Sequence, residues 1–306
     1  MQFEILTVQS HEANQRIDRY LRKTLPHLNQ INIEQALRKG LIKLNAAKVV
    51  AKDHIKENDQ IAVAEFLAKE DASKPVKSKL NLPEKKLKFW LEQVLYKDKD
   101  IIIINKPIGV AVQGGTGITQ SIDDLLEIYQ EGYPERPKLV HRLDKETSGV
   151  LILARTREVA TNLTQLFKAK EVQKVYLAVV VGDIRGSGFI KQPIIDKETG
   201  QSKAAHTEYQ VLDYLKGCIS LVEFMPSTGR KHQLRIHAAH SLDAPILADF
   251  EYGRELAYVE GFGNKLHLHA RKIAFSLNGK QIEVTAPLPD HFKETFRIAG
   301  FNYENN

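Results

Sequence analysis

The sequence predicts an α+β protein of two parts, a larger domain built mainly on an antiparallel sheet and a small basic α/β module ahead of it. Three observations carry this. After about residue 89, apolar β-rich runs outnumber helical stretches. Two pairs of those runs meet at hairpin turns, Lys216-Gly217 and Asn278-Gly279, and Asn-Gly is the strongest short hairpin signal. The charge is also uneven. Residues 1–88 hold 17 Lys+Arg against 11 Asp+Glu, and residues 89–306 hold 27 of each, so the net +6 sits in the first part. Such asymmetry points to a polyanion-binding module attached to a neutral domain.

The first element is "QRIDRYLRKTL" (15–25), an amphipathic helix with Ile17, Tyr20 and Leu21 on one side and Arg16, Arg19, Arg22 and Lys23 elsewhere. A second helix ends at Gly40, with Arg38 and Lys39 in its last turn, and short strands follow with turns at Asn45-Ala46 and Asn58-Asp59. Together these make a module over 14–66 with Arg16, Arg19, Arg38 and Lys39 as its polyanion contacts. Residues 67–88 are Lys-rich, broken by two prolines and poor in large apolar side chains, which reads as a flexible linker. From 89 to 306 the strands are "DIIIINKP", "VLILA", "KVYLAVVVGD", a hairpin over 204–226 and another over 265–289. Helices are expected over 121–130, 158–170 and about 231–241. That mix is α+β.

At 306 residues, two domains are the default. The single cysteine, Cys218, cannot close an intramolecular disulfide, which fits a reducing compartment. The start, MQFEILTVQS, lacks a basic and apolar leader, and no apolar run reaches about 18 residues. A cytoplasmic protein without a membrane partner is expected, acting as a monomer.

Several stretches are candidate sites. "QGGTGIT" (113–119) is glycine-rich but lacks the Lys-Ser/Thr of a phosphate loop, so it reads as a plain loop. His232, His237, His240, His267 and His269 come without paired cysteines or a His-Glu-x-x-His pattern, so no metal is expected. "MPSTGRKHQLRIHAAH" (225–240) sets Arg230, Lys231 and Arg235 around the start of a helix, against its dipole. An arginine there can grip a carboxylate through two hydrogen bonds. Tyr176 shares a strand face with Lys174 and Ala178. In "LVHRLDKETSGVLILA" (139–154), Asp144 stands between Arg142 and Lys145 just before a buried strand. Such an Asp is either a turn residue or a carboxylate held at the mouth of a sheet, where neighbouring cations favour its charged form.

Taken together, these pieces resemble the RluA-type pseudouridine synthases, which isomerise uridine in RNA. The matching stretches are "VLYKDKDIIIINKPIGVAV" (94–112), "HRLDKETSGVLILA" (141–154), "KVYLAVVVG" (174–182), "STGRKHQLRIHAAHSLDAPILADFEYG" (227–253) and "KLHLHARKIAFSLNGKQIEVTAPLP" (265–289). The "VQGGTG" loop resembles the RluC type, whose substrate is large-subunit ribosomal RNA. The first module is similar to the RNA-binding module of the fourth small-subunit ribosomal protein, although Ala46 and Asn58 stand where that pattern has glycine.

The resemblance implies a pseudouridine synthase fold, ribosomal RNA (23S) as partner and no cofactor. It makes Asp144 the catalytic aspartate, Tyr176 the active-site tyrosine and Arg235 the arginine paired with that aspartate. Arg142 enters the RNA where the base leaves, and Arg230 and Lys231 are further RNA contacts. Cleaving the N1–C1′ bond develops positive charge on the sugar, as in glycosidases. One carboxylate can stabilise or capture that charge. Because the base is retained, no second acid is needed to activate water. Two other readings stay open, a catalytically inactive RNA-binding ribosome-assembly factor and a glycosylase that releases free uracil.

Overall fold

The computed structural model describes residues 2–28, 30–68, 82–115, 117–196 and 199–303. The chain forms two compact units, Met1–Lys79 and Leu80–Asn306.

The first unit contains β1 (Phe3–Thr7), α1 (Ile17–Thr24), α2 (Gln30–Lys39), β2 (Ile42–Leu44), β3 (Gln60–Ala64) and α3 (Glu65–Ala68). Its strands form an antiparallel sheet in the order β1-β3-β2. Ile17, Tyr20 and Leu21 are buried, as the helical spacing predicts. They pack with Ile33, Leu37, Ile42, Ile55 and Ile61 into one core. The unit begins well before the expected boundary at 14. β1 gave no alternating pattern because it is an edge strand with Ile5 half-exposed, and its ladder to β3 holds it.

Asn45 and Ala46 both have positive φ, 48° and 66°. Leu44 and Ala47 exchange backbone hydrogen bonds across them at 3.0 and 2.9 Å. This is a two-residue hairpin turn of the primed type. The Asn45 side chain accepts from the amide of Gln60 and donates to Asp59, both at 2.8 Å. Ala46 has no such compensation, and a left-handed non-glycine residue costs roughly 1–2 kcal/mol. Replacing Ala46 by Gly is therefore expected to stabilise this unit by about 1 kcal/mol after the extra unfolded-chain entropy is counted. Hydrogen exchange of the β2 and β3 amides should slow roughly fivefold, and unchanged or faster exchange would count against the strain.

Within the second unit, α4 (Glu84–Glu92) already begins inside the stretch expected to be linker. Trp90 is buried against the sheet together with Ile102, Ile104 and Leu151. The lysines that made 84–88 look unstructured occupy the helix's other positions. The remainder of the expected linker, 69–81, lies outside the described residues. There follow β4 (Val94–Lys97), β5 (Ile101–Lys106), α5 (Ile122–Leu125), β6 (Lys138–Leu139), β7 (Ser148–Ala154), α6 (Arg157–Ala169), β8 (Gln173–Val181), β9 (Ser187–Ile190), β10 (Ile194–Ile195), β11 (Ser202–Lys203), β12 (Thr207–Leu215), β13 (Ile219–Pro226), α7 (Gln233–Ser241), β14 (Leu268–Leu277), β15 (Lys280–Thr285) and α8 (Asp290–Ala299).

The main sheet runs β4-β5-β7-β14-β8-β13-β12-β9, with β15 on β14 and β6 on β7. Among the described residues its pairings are antiparallel except where β14 meets β7. This is the expected mainly antiparallel α+β architecture. That parallel contact, His269 beside Ser148 and Ala270 beside Gly149, joins the two halves of the sheet just beyond the Asp144 loop. α8 was not foreseen, although Phe292 and Phe296 four residues apart and a left-handed Gly300 give it a readable pattern.

Candidate active site

Asp144 lies in the loop that leads into β7, whose seven residues are all buried. The Asp144 carbonyl accepts from the Thr147 amide at 3.1 Å. Lys106, at the end of β5, is fully buried. Its ammonium donates to the carbonyls of Pro107, Val110 and Lys145 at 3.0, 2.7 and 3.1 Å. Burial pulls its pKa down to about 7, opposed by the nearby Glu146 and Asp144, and three acceptors suit the three N–H bonds of the charged form. Lys106 therefore ties the Asp144 loop to the 107–110 turn. His141 is structural as well. Its Nε2 accepts from the Ile152 amide at 2.8 Å, and burial lowers its pKa to about 3.

On β8, Lys174 and Tyr176 point to the same face as Asp144. They line one cavity of ≈ 190 Å³ with Asp144, Arg142, Arg230, Lys231, His232 and Arg235. The residues expected at the site from distant parts of the second unit thus meet in one cleft. Arg16, Arg19, Arg38 and Lys39 belong to the first unit. Burial, reinforced by the negative charge of Asp144, raises the Tyr176 phenol well above its ordinary range. It remains an O–H group, which suits stacking and hydrogen-bond donation better than proton uptake. Burial also lowers the Lys174 ammonium to about 8. It donates to the Thr228 carbonyl at 3.4 Å.

The loop before α7 is held from below by Gln233, which is buried. Its side-chain oxygen accepts from Thr228 Oγ1 and the Arg230 amide at 2.8 and 3.0 Å. Its amide donates to the His206 carbonyl and Thr207 Oγ1, both at 3.0 Å. Arg230 and Lys231 thereby face the cleft from an ordered turn, and both are exposed.

Arg235 makes no hydrogen bond to Asp144 here, although the negative charge of Asp144 is among those that favour its charged form. The Arg235 guanidinium grips Asp249 instead, Nε to Oδ2 at 2.8 Å and Nη2 to Oδ1 at 2.6 Å. A third contact reaches Glu251 at 3.0 Å. Asp249 is fully buried and sits 14 residues along the chain. A buried carboxylate needs a partner more than a half-exposed one does, and this decides which acid the fork takes. The basic group within 4 Å of the Asp144 carboxylate is His232, with Nε2 3.7 Å from Oδ1. Sequence reasoning placed His232 among five histidines and gave it no role beside Asp144.

Three of the other four histidines are held by hydrogen bonds, and His240 is exposed. His237 bonds Thr207 Oγ1 and the Gln192 carbonyl, both at 2.9 Å, His267 bonds Thr295 at 2.8 Å and His269 bonds Ser148 at 2.9 Å. Among the described residues no group of His, Cys, Asp and Glu is arranged to hold a metal ion, and no helix is long and apolar enough to cross a membrane.

In the first unit, Arg16 is only partly available to a ligand. It is bidentate to the buried Asp18, at 3.1 and 2.6 Å. Burial opposes the charge on Asp18, yet hydrogen bonds from Arg16 and Gln30 hold its carboxyl below the ordinary range. Arg19, Arg38 and Lys39 are exposed.

Residues 100–240 match the family described as RNA pseudouridylate synthase. The chain is 39% identical over 303 residues to the ribosomal large subunit pseudouridine synthase C of Rickettsia bellii (strain RML369-C), covering 94% of this chain and 99% of that protein. It is 31% identical to the protein of the same name from Pasteurella multocida (strain Pm70), covering 95% and 92%. Among solved structures, Human RNA Pseudouridylate Synthase Domain Containing 4 superposes with a TM-score of 0.62 at 28% identity, over 72% of this chain and 98% of that one. With the fold, the cleft and these relatives in agreement, the chain belongs to the RNA pseudouridylate synthase family.

Proposed function

We propose that this protein isomerises uridine to pseudouridine in large-subunit ribosomal RNA, with Asp144 as the reacting carboxylate. One observation carries the reading. Among the described residues, Asp144 is the one carboxylate lining the cleft, and its neighbours there include Arg142, Lys174, Arg230 and Lys231. Two-acid glycosidase chemistry needs a second carboxylate to activate water; isomerisation, which must keep the base, does not. The ribosomal substrate is supported by the names of the relatives.

In this reading the target uridine is extruded into the cleft, because its glycosidic bond is out of reach inside a stack. Asp144 meets the positive charge that develops at C1′ as the bond to N1 breaks. Tyr176 covers the uracil while it turns to present C5. Arg142, exposed at the cleft, fills the gap the base leaves. The flanking phosphates lie along an adjoining cavity of ≈ 490 Å³ lined by Arg142, Lys168, Lys170, Lys174 and Arg230, with no carboxylate in its lining. Such phosphate contacts give affinity and position without reading sequence. The basic 14–66 module, with Arg19, Arg38 and Lys39 exposed, serves as a further RNA anchor. Its support is the charge asymmetry of the chain. The lone cysteine supports a reducing, cytoplasmic setting.

Incubating the purified protein with unmodified ribosomal RNA and analysing the nucleosides tests the proposal. Pseudouridine is expected. Free uracil would make the protein a glycosylase, and tight binding with neither product would make it a non-catalytic assembly factor.

A further inference from the structure

We propose that a second cavity, across the 229–232 loop from the Asp144 cleft, takes the base of the nucleotide immediately next to the target uridine. The inference rests on uridine being turned over in that cleft.

The second cavity measures ≈ 260 Å³ against ≈ 190 Å³ for the cleft, so it has room for a base larger than uracil. Gly229, Arg230, Lys231 and His232 line both. One loop is thus a wall of each, and the occupants of the two are close neighbours. His232 closes that loop in a left-handed conformation, φ 54° and ψ 25°, which is uncommon outside glycine. The other walls suit a base better than a phosphate. Ile194, Ile195, Ile236 and Tyr252 give apolar surface, and Asp196 and Glu251 add carboxylates that weaken the attraction of Arg230 and Lys231 for an anion. The ≈ 490 Å³ cavity assigned to phosphates has the opposite character, basic and with no carboxylate in its lining. Unstacked RNA bases are held on aromatic and apolar side chains. Arg230 lines all three cavities, which places it at the phosphate linking the two nucleotides.

These walls are fixed without RNA. The Tyr252 hydroxyl lies 2.8 Å from His232 Nδ1 and also bonds Glu251. The Arg235 guanidinium lies over the Tyr252 ring, 4.9 Å from its centre, and holds Glu251 at 3.0 Å. β10 and β11, which bring Ile194, Ile195 and Lys203, are tied down on both sides. The Gln192 carbonyl accepts from His237 Nε2 at 2.9 Å, and the Ala204 carbonyl accepts from Arg230 Nε at 3.0 Å. Lys203 pairs with Asp196 within the hairpin. Ile195 stands at the rim, 66% exposed, so a base resting on it removes apolar surface of both from water. A wall already in place adds affinity because little is left to order on binding.

The test pairs changes in the full chain with changes in the RNA. The probe is a large-subunit ribosomal RNA fragment that the protein binds, remade with one base missing at each unpaired position in turn. With wild-type protein, removing the base at one nucleotide next to the converted uridine should weaken binding about tenfold, the worth of one base stacked on an aromatic ring. Ile195→Asp sets an acid at the exposed rim, outside the Asp144 cleft. It should weaken binding of the intact fragment by a similar factor and make the protein indifferent to that missing base, because two changes to one contact do not add. Ile195→Ser, which removes the apolar surface without adding charge, should show a smaller loss coupled to the same position, and Ile195→Leu should behave as wild type. The loss should fall on KM rather than kcat, as removal of uniform binding does. Wild-type affinity that ignores a missing base on both sides of the uridine overturns the inference. So do Ile195→Asp and abasic losses that add in full, since the rim charge then acts on phosphates alone. Coupled affinities in a protein that makes no pseudouridine keep the cavity and sink the functional reading, whereas pseudouridine formed without any coupling sinks only the cavity.

Discussion

Asp144→Asn is expected to reduce pseudouridine formation to background while folding and RNA binding remain almost as they are. The two effects separate because of where the carboxylate sits. Its oxygens accept no hydrogen bond among the described residues, and His232 stands 3.7 Å away. The loop around Asp144 is held by backbone groups instead, through Lys106 at the Lys145 carbonyl and the Thr147 amide at the Asp144 carbonyl. Asparagine has the same shape, so those bonds survive, and a substitution away from buried features usually shifts stability by no more than about 0.5 kcal/mol. What is lost is the negative charge that meets a developing cation at C1′ and the oxygen that can capture it. The phosphate contacts assigned to Arg142, Lys168, Lys170, Lys174 and Arg230 are untouched, so affinity should hold. Conversion of a ribosomal RNA fragment and a thermal melt, measured on one preparation, check both halves. More than a trace of turnover would remove Asp144 from the chemistry, and a large drop in melting temperature would show that it is a structural turn residue after all.

What could be read from the sequence follows a physical divide. Strands and helices with a strong local pattern were legible: Val150 to Ala154, the hairpin at Asn278-Gly279, and α1 with Ile17, Tyr20 and Leu21 inward. Asp144 and Tyr176 were singled out by the family resemblance rather than by local pattern, and the cleft gathers both. Pairings between side chains were not legible. Nothing local distinguishes Asp144 from Asp249 as the acid that Arg235 will hold, and it is burial of Asp249 in the folded chain that decides. His232 was hidden for the same reason, since its place beside Asp144 depends on a left-handed turn that only tertiary packing imposes. Lys106 received no role from the sequence, yet it is buried and wired to three carbonyls. A charged residue directly after an apolar run and before a proline was the available clue. α4 was missed because its lysines outweighed a single buried Trp90.

Gly149→Ala is expected to destabilise the second unit by about 4 kcal/mol or more, in the range reserved for severe core defects. Gly149 has φ +110°, a region that side chains rarely adopt, and an added Cβ would stand 2.2 Å from the carbonyl oxygen of Ala270. The obstacle is backbone, with the carbonyl carbon and amide nitrogen of Ala270 both at 2.8 Å, so no rotamer change relieves it. Moving Ala270 away means parting β14 from β7 at the parallel contact that joins the two halves of the sheet. The neighbouring bond between Ser148 and His269, at 2.9 Å and buried, would be pulled apart with it. Domains are typically stable by only about 5–15 kcal/mol, and in a domain of this size each kcal/mol is worth roughly 2–4 °C. A fall of roughly 8–16 °C in melting temperature, or failure to accumulate as soluble protein, is therefore expected. Gly114→Ala is the matched control, since its added Cβ meets nothing within 4 Å. The two variants, melted side by side, decide the matter. If Gly149→Ala melts within about 2 °C of wild type, β7 and β14 do not approach as closely as this and the glycine after Thr147-Ser148 needs another explanation. If it melts low while Gly114→Ala does not, glycine follows Thr147-Ser148 because the Ala270 backbone occupies the space a side chain would need, and Asp144 keeps its place at the cleft only while that contact holds.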